Sequence, residues 1–205
     1  MKYLNCFIII IVALIFNGCS TTSDELAYNL TTWEYRDPIA MTEKTRLTIA
    51  IIPFRNETDY TTAADYARRI LAGTFVGFKN YEVQSLWKTD SLLKNSVSRA
   101  NQTPKDYNEL YNVLKTDMIL FGRVIEQKHK YAFFYAGNSV KVMLELYDAK
   151  DGKLLWKATD ERSRSVMGIS LFTNYDMEYY WLQEIFNRYN ELFRDMVNNI
   201  PSRVN

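Results

Sequence analysis

Catalysis in a small protein draws on a short list of side chains, and here the list is thin. The chain has one histidine, His129, set between Lys128 and Lys130, and two cysteines, Cys6 and Cys19, both near its start. Beyond residue 19 there is no thiol and no second imidazole. Cys/His and Ser/His nucleophile pairs and zinc sites built from thiolates or several histidines therefore lack their parts. His129 falls at what reads as a strand end and is expected on the surface. A pair of carboxylates doing acid and base work stays open, because there are 24 acidic residues to draw on, although no motif marks such a pair. Asp148, Asp151 and Gly152 have the residue types of a calcium loop without its D-x-D-x-D-G spacing or terminal Glu, and a tight hairpin turn accounts for them. Neither G-x-G-x-x-G nor G-x-x-x-x-G-K-[ST] occurs, so no loop is built to cradle phosphate. The expectation is a protein without catalytic residues, metal or cofactor.

The clearest chemistry lies at the start. Met1–Ser20 reads MKYLNCFIIIIVALIFNGCS, with Lys2, an apolar run from Phe7 to Phe16, and Gly18 before Cys19. The run has the length of a signal-peptide core, whereas a membrane-spanning helix needs about twenty apolar residues. A small residue before a cysteine suits a signal peptidase, and the Cys19 thiol is the nucleophile that would take a diacylglycerol. This segment resembles the lipobox of bacterial lipoproteins, although Phe16 and Asn17 stand where an aliphatic and a small residue are usual. The resemblance implies cleavage after residue 18 and acylation at Cys19. Ser20, in place of the Asp that usually retains a lipoprotein in the inner membrane, implies sorting to the outer membrane, facing the periplasm. Losing Lys2 with the signal leaves equal numbers of basic and acidic side chains, so the body offers no net field to nucleic acid or acidic lipid.

The composition of the full 205 residues favours a single domain: 47% of residues are hydrophobic and 24% charged, with 7 Gly and 4 Pro. Residues 19–46 are polar and mixed, with Pro38 and no sustained period, and read as the lipidated cysteine and a tether. Residues 47–205 read as an α/β globular domain. LTIAIIPF at 47–54 is a continuous apolar run, as in a strand buried on both faces. A helix follows, capped by Thr61 or Thr62, with Ala63, Ala67, Ile70, Leu71, Thr74 and Phe78 at helical spacing. Then come a strand at 81–86, a helix near 88–99, and another opened by Thr103 and Pro104. This βαβ rhythm predicts a mixed sheet. Runs at 117–127, 130–136, 138–149 and 153–165 extend it as an antiparallel meander, with turns expected at Ala136-Gly137-Asn138 and Asp151-Gly152. A long helix over 177–199 closes the chain, its stripe of Leu182, Phe186, Tyr189, Phe193, Met196 and Ile200 wide enough to predict burial. Gly73 and Gly77, spaced as G-x-x-x-G, predict close packing or a frayed helix end.

Aromatic residues are abundant, with 15 Tyr, 11 Phe and 4 Trp. On a single strand over 130–136, Tyr131, Phe133 and Tyr135 share one face, and they are candidate partner contacts if that face is not core. IAIIPFRNET at 49–58, TDMILFGRV at 116–124 and LELYDAKDGKLLW at 144–156 together resemble the bacterial envelope lipoproteins with a TolB N-terminal-like, CsgG/LpoB-like domain. In place of that group's common Thr-Gly pair this chain has Lys150-Asp151-Gly152. The resemblance implies a single mixed β-sheet and an accessory protein of the outer membrane that binds another envelope protein in cell-wall synthesis, secretion or surface assembly. Two alternatives stay open: an oligomeric CsgG-like export component, although no pair of long amphipathic hairpins is evident, and a hydrolase with a carboxylate-based site.

Overall fold

The computed structural model describes residues 28–36, 46–78, 80–94, 107–132, 135–167 and 174–200. Seven strands form one mixed sheet: β1 (Tyr28–Arg36), β2 (Leu47–Ile51), β3 (Arg55–Asn56), β4 (Tyr81–Val83), β5 (Met118–Ala132), β6 (Tyr135–Asp148) and β7 (Leu154–Met167), in the order β1-β7-β6-β5-β2-β4 with β3 also on β5. Helices α1 (Ala63–Thr74) and α4 (Asn174–Asn198) cover one face; α2 (Leu86–Lys94) and α3 (Tyr107–Leu114) cover part of the other.

The apolar run at 47–54 is central, as its composition predicts. β2 pairs in parallel with β4 on one side and β5 on the other. Ile49 and Ile51 face the α1/α4 core, while Ala50 and Ile52 face α2 and α3, and all four are buried. The chain leaves this strand through Pro53 and Phe54, whose ring lies over Gly122 of β5. A Cβ at Gly122 would come within less than 3.0 Å of three atoms of that ring, so glycine is needed for the close approach. At the base of the sheet Thr48 and Asp117 lock β2 to the entry of β5. The Thr48 amide and hydroxyl donate to the Asp117 carboxylate (2.9 and 2.8 Å), and the Asp117 amide donates to the Thr48 hydroxyl (3.0 Å). The Pro-Phe, Asp and Gly features of the sequence resemblance thus have packing roles.

The meander differs from expectation in its turns. Ala136, Gly137 and Asn138 form no turn; they belong to β6, where they pair with Tyr131, Lys130 and His129. The four runs predicted over 117–165 become three long strands, because β5 and β6 keep pairing to Ala132 and Tyr135. The second turn stands as read: Gly152 has φ 70°, the Asp148 carboxylate accepts from the Lys150 and Asp151 amides, and Asp151 accepts from the Lys153 amide. Along β6, Val140, Val142, Leu144 and Leu146 enter the core while Lys141 and Glu145 pair across to Glu161 and Lys157 of β7 (3.0 and 3.4 Å) on the opposite face.

Three further differences concern helices and the tether. Residues 28–36 lie inside the stretch read as tether, yet they form an antiparallel edge strand on β7, from Tyr28 opposite Ser163 to Arg36 opposite Trp156. The mixed, polar sequence there lacks the alternation of a half-buried strand; the β7 edge supplies the pairing. Thr62 occupies the cap position of α1, but its hydroxyl makes no capping bond. Gly73 and Gly77 have open space where a Cβ would stand, and α1 gives way to a 3₁₀ turn at Phe75–Gly77, so the spacing marks a helix end. Cys19, Ser20, Thr103, Pro104 and Phe133 lie outside the described residues.

Candidate functional site

The sequence after β3 builds one wall of a cleft. The Asn56 carboxamide oxygen accepts from the Thr58 amide and hydroxyl (3.1 and 2.9 Å), while its NH₂ donates to the Tyr60 carbonyl (2.7 Å). Such a turn needs a short side chain that bonds its own backbone. It delivers Tyr60 to the rim, and α1 starts three residues later, which places Tyr66 alongside. The second wall is the far end of β5, with Gln127 and His129, and the third is the first half of α4, with Leu182 and Ile185. They enclose a cleft of about 380 Å³.

Its lining is apolar and uncharged. The His129 ring meets Tyr60 edge-on, with centroids 4.8 Å apart, and burial holds the His129 pKa below the usual histidine value, so the ring is neutral at neutral pH. The Tyr189 hydroxyl donates to the Gln127 side-chain oxygen (2.9 Å), closing the floor, and Tyr66 packs between Tyr189 and Phe186 with centroids 6.1 and 6.3 Å away. Burial raises the pKa of both Tyr66 and Tyr189. His129 is therefore half-buried in an aromatic wall and is not the surface residue the sequence predicts.

Leu182 is 62% exposed and Phe186 44%, with Tyr60 at 37%. The stripe on α4 is wider than the sheet can cover: Ile185, Tyr189, Leu192, Phe193, Met196 and Val197 are buried, while Leu182, which lines the cleft, and Phe186, which packs on Tyr66, stay exposed as an overhang beside it. A seam of ion pairs fixes that overhang. Arg162 of β7 pairs with buried Asp160 (3.0 Å) and with Asp195 of α4, Arg164 with Glu184 (3.4 Å), and Arg188 with Glu184 and Glu191 (3.5 and 2.8 Å). These carboxylates are held by guanidinium groups, the arrangement of a clamp between helix and sheet. Among the described residues no group of three His, Cys, Asp or Glu side chains could hold a metal ion.

Of the sequence-predicted contact residues, Tyr131 lies opposite Ala136 and Tyr135 opposite Ala132. The single strand expected through 130–136 is instead the paired ends of two antiparallel strands, β5 and β6. Leu182, Phe186 and Tyr60 were not legible as contacts, although the excess width of the α4 stripe is the signal that could have found the first two.

No protein-family model matches the chain, and no curated protein matches its sequence. Solved structures do match. PelC from Paraburkholderia phytofirmans, determined as a dodecamer, superposes with a TM-score of 0.55 at 17% identity, covering 86% of this chain and 100% of that one. The two chains share a fold. Lipoprotein GNA1162 from Neisseria meningitidis matches at TM-score 0.47 and 20% identity, covering 69% of this chain and 96% of that one. The C-terminal domain of LpoB from Salmonella enterica matches at 0.44 and 10%, covering 57% and 82%.

Proposed function

We propose that this chain is a lipid-anchored accessory protein of the bacterial envelope, joined through Cys19 to the periplasmic face of the outer membrane with Ser20 as its sorting residue, and that its domain binds another envelope protein without catalysing a reaction. The observation that carries the binding role is the uncharged cleft overhung by Leu182 and Phe186. Large apolar side chains held exposed by a rigid seam are what a partner's anchor residue seats against. Tyr131, Phe133 and Tyr135 are further candidate partner contacts in this reading, on the aromatic composition of 131–135. The lipobox motivates the anchor, and the process served is cell-wall synthesis, secretion or surface assembly.

A photo-crosslinking residue at position 182, in cells making the full chain, tests the binding role. One dominant envelope-protein adduct is expected, lost in the Phe186→Ser variant while its melting temperature stays put; no adduct under several growth conditions sinks the reading. Cys19→Ser should leave uncleaved precursor or a soluble periplasmic form, because loss of acyl chains removes about 0.8 kcal/mol of membrane affinity per buried CH₂. Unchanged fractionation and mass would refute acylation there. The dodecameric state of PelC favours a second reading, an oligomeric export component. In that case the adduct is a second copy of this chain and the native mass of the detergent-extracted protein is that of a ring.

A further inference from the structure

A second crevice lies between α1 and α2. In an open α/β sheet, ligands bind outside the carboxyl ends of parallel strands, where successive connections leave toward opposite faces. Among the described residues that arrangement occurs at β2 and β4. β2 and β4 are parallel neighbours; the chain leaves β2 for α1 on one face and leaves β4 for α2 and α3 on the other. The gap between these exits is a crevice of about 400 Å³, lined by Pro53 just past β2, by Asp65, Arg68 and Arg69 of α1, and by Leu86, Trp87 and Asp90 of α2.

Its floor is rigid. Arg68, only 4% exposed, donates through Nε and Nη2 to the Ile51 carbonyl at the end of β2 (3.1 and 2.6 Å) and through Nη1 to Asp90 (2.8 Å). The buried guanidinium thus ties the strand end and both helices together, which holds the crevice open in one shape. Its rim carries the most exposed aromatic ring among the described residues: Trp87, 79% exposed. Asp65 and Arg69 are exposed beside it.

We infer that this crevice binds a neutral saccharide ring. The lining holds two guanidinium groups and two carboxylates, so their charges cancel and select neither a phosphate-bearing nor a cationic ligand. Guanidinium and carboxylate groups are also the side chains that bond adjacent hydroxyls through two atoms at once. An indole left in water offers an apolar, polarizable face on which the C–H face of a sugar ring packs, while the ring hydroxyls turn to Asp65 and Arg69. The volume is in the range of small-ligand sites. This site is distinct from the α4 cleft, so its failure leaves the reading above intact, and the converse holds.

The test is titration of the detergent-purified full chain with four tetrasaccharides: cellotetraose, N-acetylchitotetraose, its deacetylated cationic form and tetragalacturonate. Binding is followed by tryptophan emission and calorimetry. Saturable binding of a neutral member is expected, with Kd on the order of 1 mM or tighter and a blue shift in emission. Trp87→Ala should weaken it by about tenfold or more, Arg69→Ala and Asp65→Asn less, with melting temperature unchanged because all three side chains are exposed. Should Trp87→Ala lower stability, Arg69→Ala alone carries the test. The inference is overturned if no neutral tetrasaccharide saturates, if the charged ones bind more tightly, or if binding survives in both Trp87→Ala and Arg69→Ala.

Discussion

The sheet has two halves made by different rules. In the parallel half, Ile49, Ala50, Ile51 and Ile52 are all buried, successive side chains going to successive faces with a helix pair waiting on each. In the antiparallel half, Val140, Val142, Leu144 and Leu146 are buried against α4, while the residues between them carry the ladder of Lys141 with Glu161 and Glu145 with Lys157. A sheet face acquires helices where its strands are apolar at every position; where they alternate, ion pairs opposite each other suffice. The candidate protein contact then appears at the edge of this pattern, where α4 runs past the apolar surface available to it.

The sharpest way to break the comparison is to move a residue that one half tolerates into the other. A glutamate is native at position 145, but Ala50→Glu would bury a carboxylate under α2 and α3, and a loss of more than about 4 kcal/mol is expected in urea denaturation. A near-normal midpoint would mean that β2 is not covered on both sides. Next in size is Gly122→Ala, on the strand shared by the halves, where the added methyl meets the Phe54 ring. A cost of about 1–3 kcal/mol is expected. Adding Phe54→Leu should recover part of it, a non-additivity readable in a double-mutant cycle.

The ladder should respond weakly. A cycle of Lys141→Ala with Glu161→Ala is expected to give a coupling below about 1 kcal/mol, falling further in 1 M salt, because both groups are a third or more exposed. A larger, salt-insensitive coupling would show that this face is covered. The smallest effect concerns His129. Its folded pKa is below the unfolded value, so the unfolded chain binds more protons as pH falls through the window between the two; stability is complete above the unfolded value near 6.5 and declines beneath it. His129→Asn should flatten the melting-temperature profile in that window, measured against the parent chain. Identical profiles would put the imidazole in water.

Much of the fold was legible because local pattern and burial coincide. The continuous run at 47–54 announced a two-sided strand, the alternation at 140–147 a one-sided one, and Asp151-Gly152 a positive-φ turn. The hairpin between β5 and β6 was not, since Ala136-Gly137-Asn138 has turn composition and only the pairing of Lys130 with Gly137 shows that it stays extended. β1 was hidden for a related reason: an edge strand borrows its order from its neighbour, and its own residues need no alternation.

Residue type and near-neighbour spacing were enough to read a mixed sheet, the two-sided strand at 47–54, the apolar face of β6 and the lack of thiol or multi-histidine chemistry beyond Cys19. Which apolar and aromatic side chains remain in water is settled by packing between distant elements. Leu182 and Trp87 have the same local signatures as their buried neighbours, and their exposure depends on where the sheet ends beneath α4 and where β2 and β4 release the chain to opposite faces. Burial is a sum over elements far apart in the chain, and no window of sequence contains that sum.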